Sequence, residues 1–190
     1  MGLLDPPGFR RNRHGEIWLH LPTADRTLLD GLLGQLSELL TQDGEAAPTG
    51  RPSDPLADLV GIDPGAVRPA DPALARLFPD AYADPEEADE FRRFTQRDLR
   101  TIKLQNAGLA HESLQRPNPT KLSEPEQTAW LTTLNDLRLT LGTRLGITED
   151  PIDFDQLDET DPAAAMYLVY DWLTYHQDRL VRALDKGIAG

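Results

Sequence analysis

The stretch that decides the fold occupies residues 130–145 and runs Trp130-Leu131-Thr132-Thr133-Leu134-Asn135-Asp136-Leu137-Arg138-Leu139-Thr140-Leu141-Gly142-Thr143-Arg144-Leu145. Its apolar residues recur at steps of three and four, the spacing that places side chains on one face of an α-helix. The main stripe consists of Trp130, Leu134, Leu137, Leu141 and Leu145, and Leu131 and Leu139 widen it. Ser123-Glu124-Pro125-Glu126 precedes the stretch with the spacing of a capping box, so we predict a helix from there to Gly146. Because its apolar surface is broad, we expect this helix to lie at the centre of the fold.

One charged side chain in this stretch falls among apolar ones. At about 100° per residue, Arg138 lies between the Leu134/Leu145 line and Leu131. A buried guanidinium costs on the order of several kcal/mol unless it is paired. The sequence therefore predicts a polar cluster, either structural, which is the favoured interpretation, or a ligand site. Its members are Asn135 and Arg138, with Asp98 and Asp171 as candidate partners of the guanidinium.

Three further long helices are predicted around the central one. Thr23 can cap a Leu-rich stretch that follows it, and Asp84-Pro85 and Asp161-Pro162 both have the composition of a helix start. We expect the helix that begins at Asp84-Pro85 to run to about Gln115, and the last helix to end near Gly187 because glycine is common just past a helix end.

The N-terminal segment has a different period. Ile17, Leu19 and Leu21 alternate as in a β-strand and predict a small hairpin. Residues 42–72 are rich in Pro, Gly and Asp and predict an excursion or mobile linker. Short helical turns are predicted at 56–60 within it and at 74–77 just after it. The fold class expected is mainly α: a compact bundle of about four long helices with a small N-terminal β-hairpin, forming a single domain over residues 1–190.

Two surfaces are candidates for partner binding. Arg93, Arg97 and Arg100 project to a common face of their helix, which is either a solvated face paired with nearby acids or a recognition surface for an acidic protein segment or a nucleic-acid backbone. On the last helix, Trp172 lies with Tyr175 and His176 beside the main apolar stripe. A face this broad is typical either of burial or of an interface, including one that forms a homodimer.

Composition excludes several classes of function. The formal net charge is −13, which repels phosphate backbones and anionic lipids and disfavours direct DNA binding without a partner. There is no cysteine, and the four histidines are scattered, so neither a metal nor a cofactor is expected. The sequence also contains no phosphate loop or nucleophile motif. It has no long apolar stretch and no apolar segment near residue 1, so we expect neither a membrane span nor a secretory leader. We therefore expect a cytoplasmic protein that is not an enzyme.

Several segments resemble an actinobacterial family of unknown function whose members are named oxidative-stress transcriptional regulators (AosR-like). The most specific is the Leu134–Leu145 part of the central stretch. The others are Glu16-Ile17-Trp18-Leu19, Leu77-Phe78-Pro79-Asp80-Ala81-Tyr82, Phe91-Arg92-Arg93 and Tyr170-Asp171-Trp172-Leu173-Thr174.

The resemblance implies a cytoplasmic regulator that acts with a sigma factor on genes of cysteine biosynthesis. It also implies a cysteine pair in the redox-responsive form, and this sequence contains no cysteine. Disulfide switching therefore cannot operate within it.

Three hypotheses about function follow. The leading one is a non-enzymatic transcriptional regulator or sigma-factor-binding adaptor, with a sigma factor or RNA polymerase as its protein partner. The second is a helical partner of a proteolytic or sulfur-transfer system. The third is a small enzyme or ligand-binding bundle built around a pocket with Asn135, Arg138 and Asp171.

Overall fold

The computed structural model describes residues 6–45, 63, 65–147 and 162–185. Within these residues the chain forms five helices and one small sheet. The helices are α1 (Thr23–Glu45), α2 (Pro72–Leu77), α3 (Pro85–Gln115), α4 (Glu124–Arg144) and α5 (Pro162–Asp185). The strands are β1 (Gly8–Arg11), β2 (Ile17–His20) and β3 (Thr120–Leu122). The prediction of a mainly α fold with an N-terminal hairpin is confirmed.

The predicted central helix, α4, packs against all the other described helices. Trp130 and Leu134 are fully buried, and the Trp130 indole donates a hydrogen bond to Ser113 Oγ on α3 at 2.7 Å. The Phe9 ring from β1 meets Trp130 edge-on at a centroid distance of 5.4 Å. At the start of α4, the Glu126 carboxylate accepts from the Ser123 backbone N–H at 2.7 Å, as the capping-box spacing predicts.

The sheet has the order β1-β2-β3, and both pairings are antiparallel. Ile17 and Leu19 face the core, as the period of two predicts, and Phe9 joins them from β1. The third strand was not predicted, because Thr120-Lys121-Leu122 is too short to show a period. The Asn118 side chain holds the segment before β3 against Leu21, since it accepts a hydrogen bond from the Leu21 N–H and donates one to the Leu21 carbonyl.

The predicted excursion over 42–72 lies mostly outside the described residues, as do the predicted turn at 56–60, Asp161 and Gly187. At its ends the structure shows helix: α1 continues through Glu45, and Pro72 begins α2. The predicted turn at 74–77 is part of α2, whose Asp71 cap accepts from the N–H groups of Ala73 and Leu74.

Candidate functional site

The first half of α3 borders a groove of about 370 Å³. Phe91, Phe94 and Ile102 line it and are 42%, 50% and 51% exposed, so this apolar side of α3 is not part of the core. Leu99 and Asp98 lie on the same side, and Phe78 lines the groove from the end of α2. We call this surface the α3 groove. Apolar exposure on this scale is typical of a surface that binds another molecule.

The α3 groove exists because α3 turns a different face toward the core. The core face of its second half carries small residues, Ala107, Ala110 and Ser113, all of which are buried. Small residues allow α3 to approach α4 closely, and Trp130 fills the space beside Ser113. Phe91 and Phe94 lie on a different side of α3 from these small residues, and their large side chains remain at the surface.

Arg92 anchors the wall of the α3 groove. Its guanidinium is almost fully buried, and it donates to the Phe78 carbonyl at 3.2 Å and to Gln96 Oε1 at 3.3 Å. It also forms an ion pair with Asp80, which follows α2. Because one buried cation ties the end of α2 to α3, the groove is held in shape by the fold.

The predicted basic surface is divided by the structure. Arg93 and Arg97 are exposed, whereas Arg100 is half-buried. The Arg100 guanidinium donates to the Leu40 carbonyl in the last turns of α1 and lies 5.0 Å from the centroid of the Phe78 ring. Arg100 therefore stabilises the packing of α1 on α3, and Arg93 and Arg97 are the outward-facing members of the predicted surface.

Among the residues that the structure describes, Arg138 forms no ion pair with an aspartate, so the pairing predicted with Asp98 or Asp171 is wrong. Its guanidinium donates to Thr174 Oγ1 at 2.9 Å, to Gln177 Oε1, and to the Tyr170 hydroxyl at 3.4 Å. These three residues follow one another on α5 at steps of four and three and face α4. One residue away from Tyr170, about 100° around the helix, Asp171 is exposed.

The other members of the predicted polar cluster lie apart from one another. Asp98 lines the α3 groove and Asp171 is exposed on α5. Asn135 is half-buried, and its side chain makes no hydrogen bond to any residue that the structure describes. The four residues therefore do not form one site. Of these four residues, only Arg138 joins α4 to α5, through neutral partners.

A buried ion pair that the sequence interpretation missed joins α3 to α4. Lys103 Nζ lies 2.8 Å from Asp136 Oδ1, and the two side chains are only 10% and 4% exposed. Burial raises the pKa of Asp136, although the hydrogen bond and the positive charge of Lys103 oppose the shift. The signal was present in the sequence, because Asp136 continues the buried line of Ala129 and Thr133 at steps of four and three.

His176 on α5 is buried among aromatic rings. It is 1% exposed, and the centroids of Trp172 and Tyr175 lie 4.3 and 5.2 Å from its own. Neither ring nitrogen has a hydrogen-bond partner among the residues that the structure describes. Burial, with a smaller contribution from the charge of Arg179, lowers the pKa of His176 to about 4. The ring is therefore neutral at physiological pH.

The apolar face on α5 is partly buried and partly exposed, and its role as an interface stays a prediction. Leu173 and His176 are buried, whereas Leu168 is 65% and Tyr175 42% exposed. Trp172 lies between the two groups, half-buried, with its ring against His176. The exposed side of α5 thus presents Leu168, Tyr175 and part of Trp172 to solvent.

The described residues contain no group of three or more His, Cys, Asp or Glu side chains arranged to hold a metal ion. In the same part of the chain, no helix combines the length and the apolar character that crossing a membrane requires.

Comparison with known proteins identifies relatives along nearly the whole chain. Residues 6–184 match the family described as Domain of unknown function (DUF2017). The chain is 34% identical over 196 residues to the "Oxidative stress regulator AosR" of Mycobacterium tuberculosis (strain ATCC 25618 / H37Rv), an alignment that covers 95% of this chain and 84% of the relative. The Mycobacterium bovis protein of the same name gives the same values.

The "Putative oxidative stress regulator AosR" of Mycobacterium leprae (strain TN) is 32% identical over 174 residues, which cover 83% of this chain and 77% of the relative. No solved structure matches the chain with significance. Since the family match spans residues 6–184 and the mycobacterial relatives align along most of their own length, the chain belongs to the DUF2017 family of AosR-like proteins.

Proposed function

We propose that this protein is a non-enzymatic, cytoplasmic transcriptional regulator of a stress response or of cysteine metabolism, and that it acts by binding a sigma factor or RNA polymerase. The observation that carries the proposal is the similarity to proteins named oxidative stress regulators over 95% of the chain. The net charge of −13 supports action through a protein partner, because bulk charge of this sign opposes direct contact with DNA.

The contact surface that we assign to this partner comprises Arg93, Arg97 and Arg100 on α3, together with Trp172 on α5. Arg93 and Arg97 are the members to test first, because both are exposed. Arg100 contacts the Leu40 carbonyl, so its replacement would also disturb the packing of α1. Trp172 contacts His176 and needs the same care.

This chain cannot sense a signal by forming a disulfide within itself, because the sequence contains no cysteine. Regulation through the amount of the protein, or through its partner, needs no thiol. The proposal therefore places the specificity of the response in protein contact.

Affinity capture from the native cell tests the proposed function. A tagged full-length chain is expressed in a strain that lacks the native copy, and bound proteins are identified by mass spectrometry with and without peroxide. We expect a sigma factor or RNA polymerase subunits to be enriched, and transcript levels to change in the deletion strain. Enrichment of protease or sulfur-carrier components instead, with unchanged transcripts, would overturn the proposal.

The basic surface is tested in the same assay with charge-matched variants. Arg93→Glu/Arg97→Glu is expected to lower recovery of the partner at least about tenfold, as loss of charged interface residues does elsewhere. Arg76→Glu/Arg182→Glu makes the same change of charge at exposed positions on α2 and α5 and serves as the control. Equal recovery with both variants, each folded by circular dichroism, would exclude Arg93 and Arg97 from the interface.

A further inference from the structure

We propose that the α3 groove binds an amphipathic helix of the partner protein, with the apolar face of that helix in the groove and its cationic side chains paired with Asp98 and Glu87. The inference deepens the proposed function and rests on it for the existence of a protein partner. It adds the chemistry of the partner and a binding site that differs from the basic surface on the other flank of α3.

The apolar side of the groove has the dimensions of a helix-binding surface. Phe91 and Ile102 are eleven positions apart on α3, which corresponds to about 16 Å along the helix axis. Phe94 and Leu99 lie between them, and all four side chains are more than a third exposed. An amphipathic helix of three to four turns presents anchors at a similar spacing, and grooves of this kind bind such helices in many complexes.

The charges of the groove specify a basic partner. Two charged side chains, Arg92 and Asp98, line it. Asp80 neutralises Arg92, whose side chain is 4% exposed. Asp98 is exposed and has no ion-pair partner among the residues that the structure describes. Glu87 is exposed one helical turn before Phe91, on the same side of α3 as Asp98. Within the described part of the chain, the apolar stripe is therefore accompanied by two carboxylates without an ion-pair partner, about 16 Å apart along the helix axis.

A second copy of this chain fits the groove less well than a basic helix does. Two copies that met through this surface would bring Glu87 and Asp98 of each molecule against an acidic surface, and the whole chain carries a net charge of −13. Like charges placed together at an interface cost free energy and oppose binding. A small ligand is also disfavoured, because Arg92 Nη1 and Nη2 already donate to Phe78, Gln96 and Asp80, and the remaining donor, Nε, is buried away from solvent.

The wall of the groove is preformed. Arg92 fixes the end of α2 against α3 by its hydrogen bond to the Phe78 carbonyl and its ion pair with Asp80. Asp84 caps α3 by accepting from the N–H groups of Glu86 and Glu87, at 2.9 and 3.1 Å. A preformed surface loses little conformational freedom when its partner binds, which favours affinity.

The test uses the full-length chain and two synthetic peptides. Each is an 18-residue amphipathic helix with four leucines at helical spacing; one carries arginines eleven positions apart beside the leucines, and the other carries glutamates there. Fluorescence anisotropy is expected to show binding of the arginine peptide at least about tenfold tighter than that of the glutamate peptide. Equal affinity for both peptides, or no binding of either, overturns the proposal.

Variants locate the binding site. Phe91→Ala/Ile102→Ala is expected to weaken binding of the arginine peptide about tenfold or more, because both anchors are lost. Leu168→Ala/Val181→Ala removes exposed apolar side chains from α5 and is the matched control. Glu87→Lys/Asp98→Lys should invert the preference, so that the glutamate peptide binds better. An unchanged preference would show that these carboxylates do not contact the peptide.

The two proposals fail separately. If the peptides bind as expected but capture from cells recovers no transcription protein, the groove stands and the proposed function falls. If capture recovers a sigma factor or RNA polymerase and Phe91→Ala/Ile102→Ala does not reduce the recovery, the function stands and the groove is not its binding site. Self-association of the free chain that the same variant abolishes would assign the groove to a second copy and overturn the inference.

Discussion

His176 couples the stability of the fold to pH. The pKa of its ring is about 4 in the folded protein, against 6.5 for an ordinary histidine, because the ring is buried between Trp172, Tyr175 and Phe9. Above about pH 6.5 the ring is neutral in both states and the shift has no effect on stability. As the pH falls from 6.5 toward 4, the unfolded chain binds a proton first, so acidification favours unfolding.

Replacement of His176 by phenylalanine is expected to remove this sensitivity. Between pH 7.5 and pH 4.5, the unfolding free energy of the wild type should fall by roughly 2–3 kcal/mol more than that of His176→Phe. Phenylalanine suits the site because neither ring nitrogen of His176 has a partner in the described part of the chain. Urea unfolding at the two pH values measures the difference. The same pH dependence in both proteins would contradict the account, and His14→Phe, at an exposed position, is the control.

The buried Lys103–Asp136 ion pair also affects the stability of the fold. Lys103→Met is expected to lower the unfolding free energy by about 3–5 kcal/mol, since it leaves Asp136 buried without its cation. Lys103→Met/Asp136→Leu should recover most of that loss, because the cost of desolvating both charges is removed. Chemical denaturation measures both variants. Lys121→Met breaks an exposed pair with Glu16 and should have a much smaller effect. If the double variant is no more stable than Lys103→Met, the ion pair would contribute more to stability than neutralisation of the Asp136 charge alone.

At these positions the sequence predicted which residues face the core more accurately than it predicted their partners. The sequence predicted Arg138 as a charge among apolar residues of its own helix, because that property depends on the period of one helix, and the structure shows it half-buried. Its partners depend on which side of α5 faces α4, and the structure places Thr174 and Gln177 there while Asp171 faces solvent. The periodicity of one helix carries no information about the rotation of the next.

At the scale of the element, α3 combines two roles along its length. Its second half packs closely through Ala107, Ala110 and Ser113, and its first half carries the exposed Phe91 and Phe94. The sequence predicted both the start at Asp84-Pro85 and the end near Gln115. It could not show that the aromatic side lies at the surface, because an apolar stripe has the same period whether it faces the core or a partner. The α3 groove therefore required the structure.

The start of α4 depends on Glu126, whose carboxylate accepts from Ser123 and lies 2.8 Å from Arg116 Nη2. Glu126→Ala is expected to lower the unfolding free energy by about 1 kcal/mol, since the capping interaction is lost at the central helix. Glu126→Gln retains the acceptor and should lose less. Glu124→Ala changes an exposed acid in the same turn and is the matched control. Equal losses for Glu126→Ala and Glu124→Ala, measured by thermal unfolding, would assign the effect to helix charge alone.

At the scale of the whole molecule, charge and exposed apolar surface oppose each other. The chain carries a net charge of −13, yet it exposes Phe94 and Ile102 on α3 and Leu168 on α5. Apolar surfaces of this kind favour association, whereas like charges keep molecules apart over a distance that salt reduces from about 30 Å at 0.01 M to about 3 Å at 1 M. The balance between the two effects therefore depends on ionic strength.

We expect the isolated protein to be monomeric at low ionic strength and to self-associate more strongly as salt is raised, because screening removes the repulsion and leaves the apolar attraction. Sedimentation velocity at 20 mM and 500 mM sodium chloride measures the change. At the higher salt concentration, Leu168→Ala/Val181→Ala is expected to reduce the association and Phe91→Ala/Ile102→Ala is not, because the α3 groove is assigned to the basic helix of the partner. A dimer that is equally stable at both salt concentrations would show that repulsion between like charges does not oppose the association. Its interface would then have to lie away from Glu87 and Asp98. Binding of a basic helix should respond in the opposite direction, since salt weakens attraction between unlike charges.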